Sequence, residues 1–483
     1  MSAADERPVI AIVGGGFSSA ALAIHLAKRH SASRTPRIVV FEPRETLGAG
    51  LAYSTKDPAH RINVPAGRMS VYPDHPESFL QFAHDNDIVS ADPEALGSDG
   101  LPYLRRSAFG AYVGAEIEPY IRKGVIEHIR SHVTFVETSK DRWRVETSDG
   151  RTVVADALAI AVSHPAPALP KALSGVAGHP KLIADVTQDD ALRAIEKEDR
   201  VLIVGNGLTS ADVVAGLNAK GHTGDMVSIS RRGIRSRGHA PIDQEPFGDF
   251  TSPPSVRASD LLRRIREALR QAAEKGLTWH AVLDAVRAQG QTIWRALPVR
   301  ERRRVARWAR PYWDAHRFRI APPVEAVLDA AIASGRLSIR AASLREVKAS
   351  VTGFEVTLVE KHQREVVTMH FDAIAVTTGP AHGGILASQP FLARMANSGL
   401  LTNCETGLGI ACDLNSVALD RNGAAVPGLF IAGPLARGTF GELMGLPQVT
   451  EHAVFVAEQL SRYLIRDRHA EAPGISRRDA IAV

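Results

Sequence analysis

The chain has 483 residues, 45% of them hydrophobic, 23% charged and only 6% aromatic, with a formal net charge of +5. These values exclude a mainly disordered chain, and no apolar run approaches the roughly 18 residues of a membrane span. The thin aromatic share also disfavours an all-β sandwich or a binder that stacks single-stranded bases. At about 150 residues per domain, the length predicts about three domains. Cys404 and Cys412 are the only cysteines. They are too few for a disulfide framework or a cysteine zinc cluster, and too widely spaced for a redox-active pair, so two buried thiols and no metal site are expected. The short polar stretch from Met1 to Pro8 runs straight into an apolar strand. No signal peptide is therefore expected, and the expected location is the cytoplasm.

In chain order, Pro8 to Val13 is an apolar, β-branched run, Gly14 to Ser19 a glycine turn, and Ala20 to Arg29 an alanine-rich helix. Strand, turn and helix form a dinucleotide-binding unit. Gly14 permits the tight turn, Gly16 lets the backbone approach a pyrophosphate on the helix N-terminus beside Ser18, and Ser19 replaces the third glycine where helix and strand pack. A second strand, Ile38 to Phe41, ends at Glu42. An acid some 20 residues beyond the glycines is expected on a ribose hydroxyl. Glu42 argues against a 2′-phosphate here, so FAD or NAD is favoured.

A second copy follows. Arg200 to Val204 is a strand, Gly205 and Gly207 take the turn positions, and Thr209 and Ser210 open a helix to Lys220. The next strand, Met226 to Ser230, ends on Arg231 and Arg232 where the first copy has an acid. Guanidinium groups suit bidentate phosphate binding and adenine stacking, so NADPH is expected at this turn. Each copy is followed by an antiparallel pattern, Arg142–Thr147 with Arg151–Ala155 and Gly353–Glu360 with Glu365–His370. Each then has a strand crossing toward the other domain, Asp156–Val162 and Phe371–Val376.

Between the arginine pair and Arg336 lies a long insertion. Ser259-Asp260 marks a helix start, and Leu261, Leu262, Ile265 and Leu269 recur with helical spacing. More helix is expected from Trp279 to Leu297, then a basic helix from Arg300 to Arg310 with Trp308 interleaved. That helix is expected to cover the nucleotide cleft; a nucleic-acid or acidic-partner patch is the alternative. The polar tail from Arg466 to Val483 is expected to be loose.

With these motifs in order, the chain resembles the two-dinucleotide-binding-domain flavoproteins, and within them the bacterial FAD/NAD(P)-binding family. The resemblance spans almost the whole chain. It rests on Gly14–Ser19, Gly48–Ser54, Ile62–Ala66, Ser230–Gly233, Trp313–Arg319 and Ala432–Pro434. The family is also similar to the N-hydroxylating and Baeyer–Villiger-type flavin monooxygenases. Their fingerprint, aromatic-x-Gly-x-x-x-His-x-x-x-aromatic, is degenerate here: Gly175 and His179 fit, but Leu173 and Ile183 replace the aromatics.

The resemblance implies that Gly433 and Pro434 touch the ribityl phosphate and that the strand through Val136 presents its backbone to the adenine. It implies that Gln448 opens a helix aimed at the flavin, and that the glycine-rich stretch Gly438–Gly445 leaves room for the isoalloxazine. Asn63, with Arg68 beside it, is the expected near-flavin group. Glu442 is a candidate acid or base. His60 and His239 are candidate proton carriers, and His316 and Arg317 are expected on an anionic substrate or the NADPH phosphates.

The expected fold class is α/β, with two Rossmann-like domains for FAD and NADPH, the second inserted in the first. FAD segments are expected at 1–168 and 379–483 and the NADPH domain at 169–378, with a helical insertion over about 234–335. The expected activity is NADPH-dependent hydroxylation of a small polar, nitrogen-containing molecule through a peroxyflavin. The alternatives are a flavin reductase or oxidase passing electrons to a partner or to oxygen, and a nucleotide-sensing nucleic-acid-binding protein. Small-molecule substrate and molecular oxygen are the expected partners. Nucleic acid is disfavoured, no membrane is expected, and a homo-oligomer is left open.

Overall fold

A computed structural model of the chain describes residues 7–30, 35–139, 141–361 and 364–470. The first 160 residues supply β1 (Val9–Val13), β2 (Arg37–Phe41), β3 (Ile126–Ile129), β4 (Val133–Ser139), β5 (Arg142–Thr147), β6 (Thr152–Ala155) and β7 (Ala157–Ile160). The middle of the chain supplies β8 (Leu182–Ile183), β9 (Val201–Val204), β10 (Met226–Ser230), β11 (Leu337–Ser350), β12 (Gly353–Glu360), β13 (Val366–Phe371) and β14 (Ala373–Val376). The end supplies β15 (Val417–Leu419) and β16 (Ala425–Ile431).

Every residue of β1, β7, β9 and β14 is buried, as parallel strands covered by helices on both faces require. Each fully buried Val, Leu or Ile in them contributes roughly 1.5–3 kcal/mol of hydrophobic stabilisation. The first sheet runs β15-β16-β7-β1-β2-β3. Its parallel pair β16·β7 joins Leu429–Ile431 to Leu158–Ile160, so the end of the chain completes a sheet begun at residue 9. The second sheet runs β13-β12-β11-β10-β9-β14-β8. Strand β11 is parallel to β10 through its first half and antiparallel to β12 through its second. A three-stranded antiparallel sheet β4-β5-β6 connects β3 to β7.

The strand order reverses between β1 and β7 and again between β9 and β14. In open α/β sheets such switch points, at the carboxyl ends of the strands, are where ligands bind. Both glycine turns sit there. A Cβ on Gly14 (φ +101°) would lie 2.6 Å from the carbonyl oxygen of Ala161, just past β7. A Cβ on Gly205 (φ +131°) would lie 2.4 Å from that of Thr377, just past β14. In each copy the crowding comes from the residue that follows the strand across the switch point.

Helices Ala258–Glu274, Trp279–Ala288, Gly290–Ala296, Val299–Arg304 and Arg310–Arg317 make up the insertion, around Leu261, Val282, Val286 and Ile293. Leu262 is exposed, and Ile265 and Leu269 are half-buried. Helix Pro322–Ala333, in the range expected to close the insertion, instead packs its Val324, Leu328 and Ala331 with Ala211, Val214 and Leu217 of the helix after β9. The segment carrying Gly175 and His179 packs on the second sheet, with the His179 ring 4.4 Å from Phe354. The last helix, Gln448–Ala470, carries regular structure into the stretch expected to be loose; the rest of that tail lies outside the described residues.

Gly14→Ala and Gly205→Ala are each expected to lower the unfolding free energy by about 1–3 kcal/mol through backbone strain and clash. Gly175→Ala, where a Cβ meets open space, is expected to stay within about 0.5 kcal/mol. Urea unfolding of the three variants checks this.

Candidate cofactor and active site

Helix Phe17–Arg29 begins at Gly16 without a side-chain cap, and its first turn carries no acid. Its N-terminal N–H groups and the positive end of its dipole are thus available to a phosphate. The turn is closed in by glycines on other segments. A Cβ on Gly50 would approach the Gly16 Cα to 2.8 Å, and one on Gly433 would approach the Ser18 Oγ to 2.4 Å. Gly48 N–H donates to the Gly15 carbonyl at 2.8 Å, laying the Gly48–Gly50 segment along the turn. Glu42 is buried at the end of β2, where Oε2 accepts from Gly15 N–H at 2.9 Å and Oε1 from Arg44 at 3.1 Å. A cradle without Cβ atoms, an uncapped helix and an acid within reach of the turn fit the pyrophosphate and ribose of FAD. Ser19 is buried against β7, its Oγ 3.5 Å from the Ala161 carbonyl, so it packs helix on strand. Val136 lies on β4, an edge strand of its sheet.

The second turn repeats the design. Helix Leu208–Ala219 starts at Gly207, again with no side-chain cap and no acid in its first turn. A Cβ on Gly207 would meet nothing. Asn206 Nδ2 donates to Ser230 Oγ at 3.1 Å, and Ser210 Oγ lies 3.2 Å from Ser228 Oγ. Ser210 therefore ties its helix to β10 rather than facing a ligand. Arg231 is exposed, and the Arg232 guanidinium lies 5.0 Å above the Tyr312 ring of the insertion. The open turn and the exposed arginine fit a phosphorylated dinucleotide.

A cavity of about 710 Å³ lies between the two units, lined by Leu51 and Ala52 beside the first turn and by Thr209 and Asp212 of the second helix. His60, Arg106 and His164 also line it. Arg106 Nη2 donates to Asp212 at 2.9 Å, a half-buried ion pair joining the two units across the cleft. His60 Nδ1 is 2.9 Å from the Thr55 hydroxyl. The Asn63 segment is held firmly: Ile62 N–H donates to the Leu104 carbonyl, and buried Arg61 makes a bidentate pair with Asp92 at 2.9 and 3.0 Å. Asn63 contributes its carbonyl to His239 Nε2 at 3.0 Å, so His239 holds this segment to the insertion.

Other expected site residues do not converge. Arg68 is 61% exposed and pairs with Asp243 at 3.6 Å on the surface. His316 turns Nδ1 back to the Tyr312 carbonyl of its own helix. Arg317 instead meets Glu442, Nε to Oε1 at 2.6 Å, with both side chains more than nine-tenths buried. Trp313 Nε1 donates to the other carboxylate oxygen at 3.3 Å. Glu442, a candidate acid or base by sequence, is thus half of a buried ion pair that fastens the insertion to the last segment. Gly438 and Gly441 do not leave space for a flavin either, because Cys404 Sγ and Trp294 occupy the positions their Cβ atoms would need. Gln448 Oε1 accepts from Arg287 at 2.8 Å.

Sequence reasoning passed over His164, Arg106, Arg287 and Arg437. Only His164 had a legible signal, its place directly after a strand at the switch point. The arginines look like any others on amphipathic helices. Cys412 and Cys404 are both buried and unbridged, and burial pushes the Cys412 thiol up to about 12. Among the described residues, no group of three or more His, Cys, Asp or Glu is placed to hold a metal, and no helix is long and apolar enough to cross a membrane.

One buried histidine, His452, and two half-buried ones, His164 and His239, are held neutral. Desolvation is the first cause for each, bringing His164 and His239 down to about 4 and His452 to about 3. For His452 the hydrogen bonds agree: Nδ1 accepts from Gly433 N–H at 3.2 Å, leaving Nε2 to donate to Ser416. A depressed folded value gives stability that is complete above the ordinary value of 6.5 and lost as the pH falls toward about 4. Each group is expected to contribute a slope of roughly 1.4 kcal/mol per pH unit in that window. Denaturant unfolding from pH 7 to 4 checks the slope, and His452→Asn is expected to remove one histidine's share. Glu442→Gln is expected to cost about 3–5 kcal/mol by stranding the buried Arg317 charge. It should leave the pH profile of turnover without a lost limb, whereas a catalytic acid or base would remove one.

Residues 11–165 match the family described as FAD-NAD(P)-binding. No curated protein matches the chain in sequence. Among solved structures, the chain is similar to the reduced form of ornithine hydroxylase from Pseudomonas aeruginosa (TM-score 0.64, 16% identity), with 95% of this chain and 100% of that one covered. It is also similar to the ornithine N-hydroxylase of Kutzneria sp. 744, solved with reduced FAD, NADP+ and L-ornithine (TM-score 0.59, 17% identity, 95% and 100% covered). Thioredoxin reductase from Lactococcus lactis is matched as well (TM-score 0.52, 11% identity, 95% and 100% covered). At these identities the likeness establishes a shared fold. Residues 11–165 are therefore an FAD-NAD(P)-binding domain, set in a chain that has the fold of the two-dinucleotide-domain flavoproteins.

Proposed function

We propose that the chain is an NADPH-dependent FAD monooxygenase that hydroxylates a small polar, nitrogen-containing molecule, using molecular oxygen, in the cytoplasm. The observation that carries this reading is the pair of uncapped glycine turns, one in each unit, with a cavity between the units bordered by Leu51 and Ala52 beside the first turn and by Thr209 of the second helix. The N-hydroxylating neighbours support the choice of nitrogen, and the absence of a paired thiol at the cleft weighs against the disulfide-reductase branch.

FAD, when bound, would accept the hydride from NADPH and deliver one atom of oxygen to the substrate. The chain's own groups bind and orient. The amides at Gly14–Ser18 would hold the FAD pyrophosphate, Glu42 a ribose hydroxyl, and Val136, Gly433, Pro434 and Gln448 the remaining parts. Gly205, Gly207 and Thr209 would hold the NADPH pyrophosphate, with Arg231 and Arg232 on its 2′-phosphate. Asn63 and His60 would border the flavin, and His164 offers the cleft a neutral imidazole near pH 7. Glu442 is a positioning residue in this reading, acting through Arg317.

Replacing both Arg231 and Arg232 by Ala is expected to lower kcat/KM for NADPH by roughly 10–100-fold, as loss of one or two charged hydrogen bonds implies, with little change for NADH. Equal loss with both nucleotides would remove the 2′-phosphate assignment. The reaction itself is tested by counting products. Hydroxylamine formed in step with NADPH oxidised supports monooxygenation. NADPH oxidation that yields only hydrogen peroxide across a panel of amines, amino acids and their derivatives favours the reductase or oxidase reading.

A further inference from the structure

Five arginines are gathered where the insertion meets the last segment. Arg287, Arg317 and Arg319 face two carboxylates: Glu442 pairs with Arg317 at 2.6 Å, and Asp284 takes Arg319 at 2.8 Å. Arg310 and Arg437 share one, Asp314, at 3.0 and 3.7 Å. Five positive charges against three negative leave an excess of two (5 − 3 = 2) in a largely buried region, where an uncompensated charge is costly. Three of these guanidiniums also keep a buried nitrogen with no hydrogen-bond partner within the described residues: Nε of Arg287, Nη2 of Arg317 and Nε of Arg319. Buried donors are ordinarily satisfied.

A paired nitrogen of Arg287 and the spare nitrogen of Arg317 come to the same stretch of chain. Arg287 Nη2 donates to the Leu446 carbonyl at 2.9 Å and to Gln448 at 2.8 Å. Arg317 Nη2 lies 3.7 Å from where a Gly445 Cβ would stand. Both side chains therefore reach the Gly445–Gln448 stretch, whose Gln448 the proposed function places on FAD. Burial and the neighbouring Arg317 charge hold Arg287 down at about 10, so its cationic form lacks full compensation inside the protein.

We infer that the substrate is a net anion, whose carboxylate or phosphate group is received by Arg287 and Arg317 beside the Gly445–Gln448 loop. The word substrate rests on the proposed function; the anion site does not. A diamine or other cation would add positive charge to a region already in excess. The two spare nitrogens suit an oxyanion, which accepts from several donors at once.

The FAD-bound protein is titrated by calorimetry with succinate, with inorganic phosphate and with 1,5-diaminopentane, at constant ionic strength and with saturating NADP+ present. Succinate or phosphate is expected to bind saturably, and diaminopentane is not. Arg287→Gln is expected to weaken the anion by roughly tenfold or more. Arg317→Lys, which keeps a charge beside Glu442 but removes the spare nitrogen, gives a second reading if the first variant does not fold, with a loss of roughly threefold or more. The site is overturned if neither anion binds while NADP+ is present, if both variants bind like the parent, or if diaminopentane binds more tightly than the anions. No turnover enters this measurement. An assay yielding only peroxide would remove the proposed function and leave the site, whereas coupled hydroxylation of a cationic amine without anion binding would do the reverse.

Discussion

Chain segments crowd together at four places around the first glycine turn, three of them backbone on backbone and one backbone on the Ser18 side chain, and the rest of the molecule is arranged about that closeness. Gly14 meets the end of β7, Gly16 meets Gly50, Gly48 bonds to Gly15, and Gly433 meets Ser18. A side chain at Gly14, Gly50 or Gly433 would force these segments apart. Because they come from opposite ends of the sequence, the first binding unit forms only when the last segment has returned to pair β16 with β7. The intervening chain must therefore be a body whose own ends lie close together. The second sheet meets that need, entering near β8 and leaving from β14, which are paired with each other.

Charge organises the second level. The net +5 is mild for this length, yet it conceals an uneven distribution. Many arginines are tied to exposed carboxylates on helix surfaces, where a pair is worth little. A few are buried or half-buried at the junctions: Arg61 behind the Asn63 segment, Arg106 across the cleft, and Arg287, Arg317 and Arg437 between the insertion and the last segment. These junction arginines hold separately folded parts at fixed distances from the cleft. Buried pairs of this kind contribute little net stability but are costly to break, and so they specify an arrangement more than they strengthen it.

The parts that were legible in sequence share a short range. Strand, glycine turn and helix at 9–29 and 201–219 are local, and the structure has both in the expected order, with the helices starting at Phe17, three residues before the expected Ala20, and at Leu208, one before Thr209. The contrast between Glu42 and Arg231-Arg232 is also local, because each lies at the end of a strand next to its turn. The site residues beyond the turns were a different matter. Arg68, beside Asn63 in sequence, and His316 and Arg317, in the Trp313–Arg319 segment, are expected near cofactor or substrate, and the structure sends one to the surface, one back to its own helix and one to Glu442. The glycines at 438 and 441 have the composition of a ligand loop, yet the contacts that demand glycine there come from Cys404 and Trp294, some 30 and 150 positions away.

What the sequence determined by itself was the number and kind of binding units, the strand and turn chemistry of each, and the acid-or-arginine difference between them. These follow from steric and electrostatic rules acting within about 40 residues. Which charges are paired, which glycines are crowded, and which donors are left unpaired were decided by tertiary structure alone. The reason is physical. An arginine on an amphipathic helix has the same local propensity whether it faces water or a buried carboxylate. Only the packing of the insertion against the last segment takes the water away from Arg287 and Arg317, and with it the solvent that would have satisfied their remaining nitrogens.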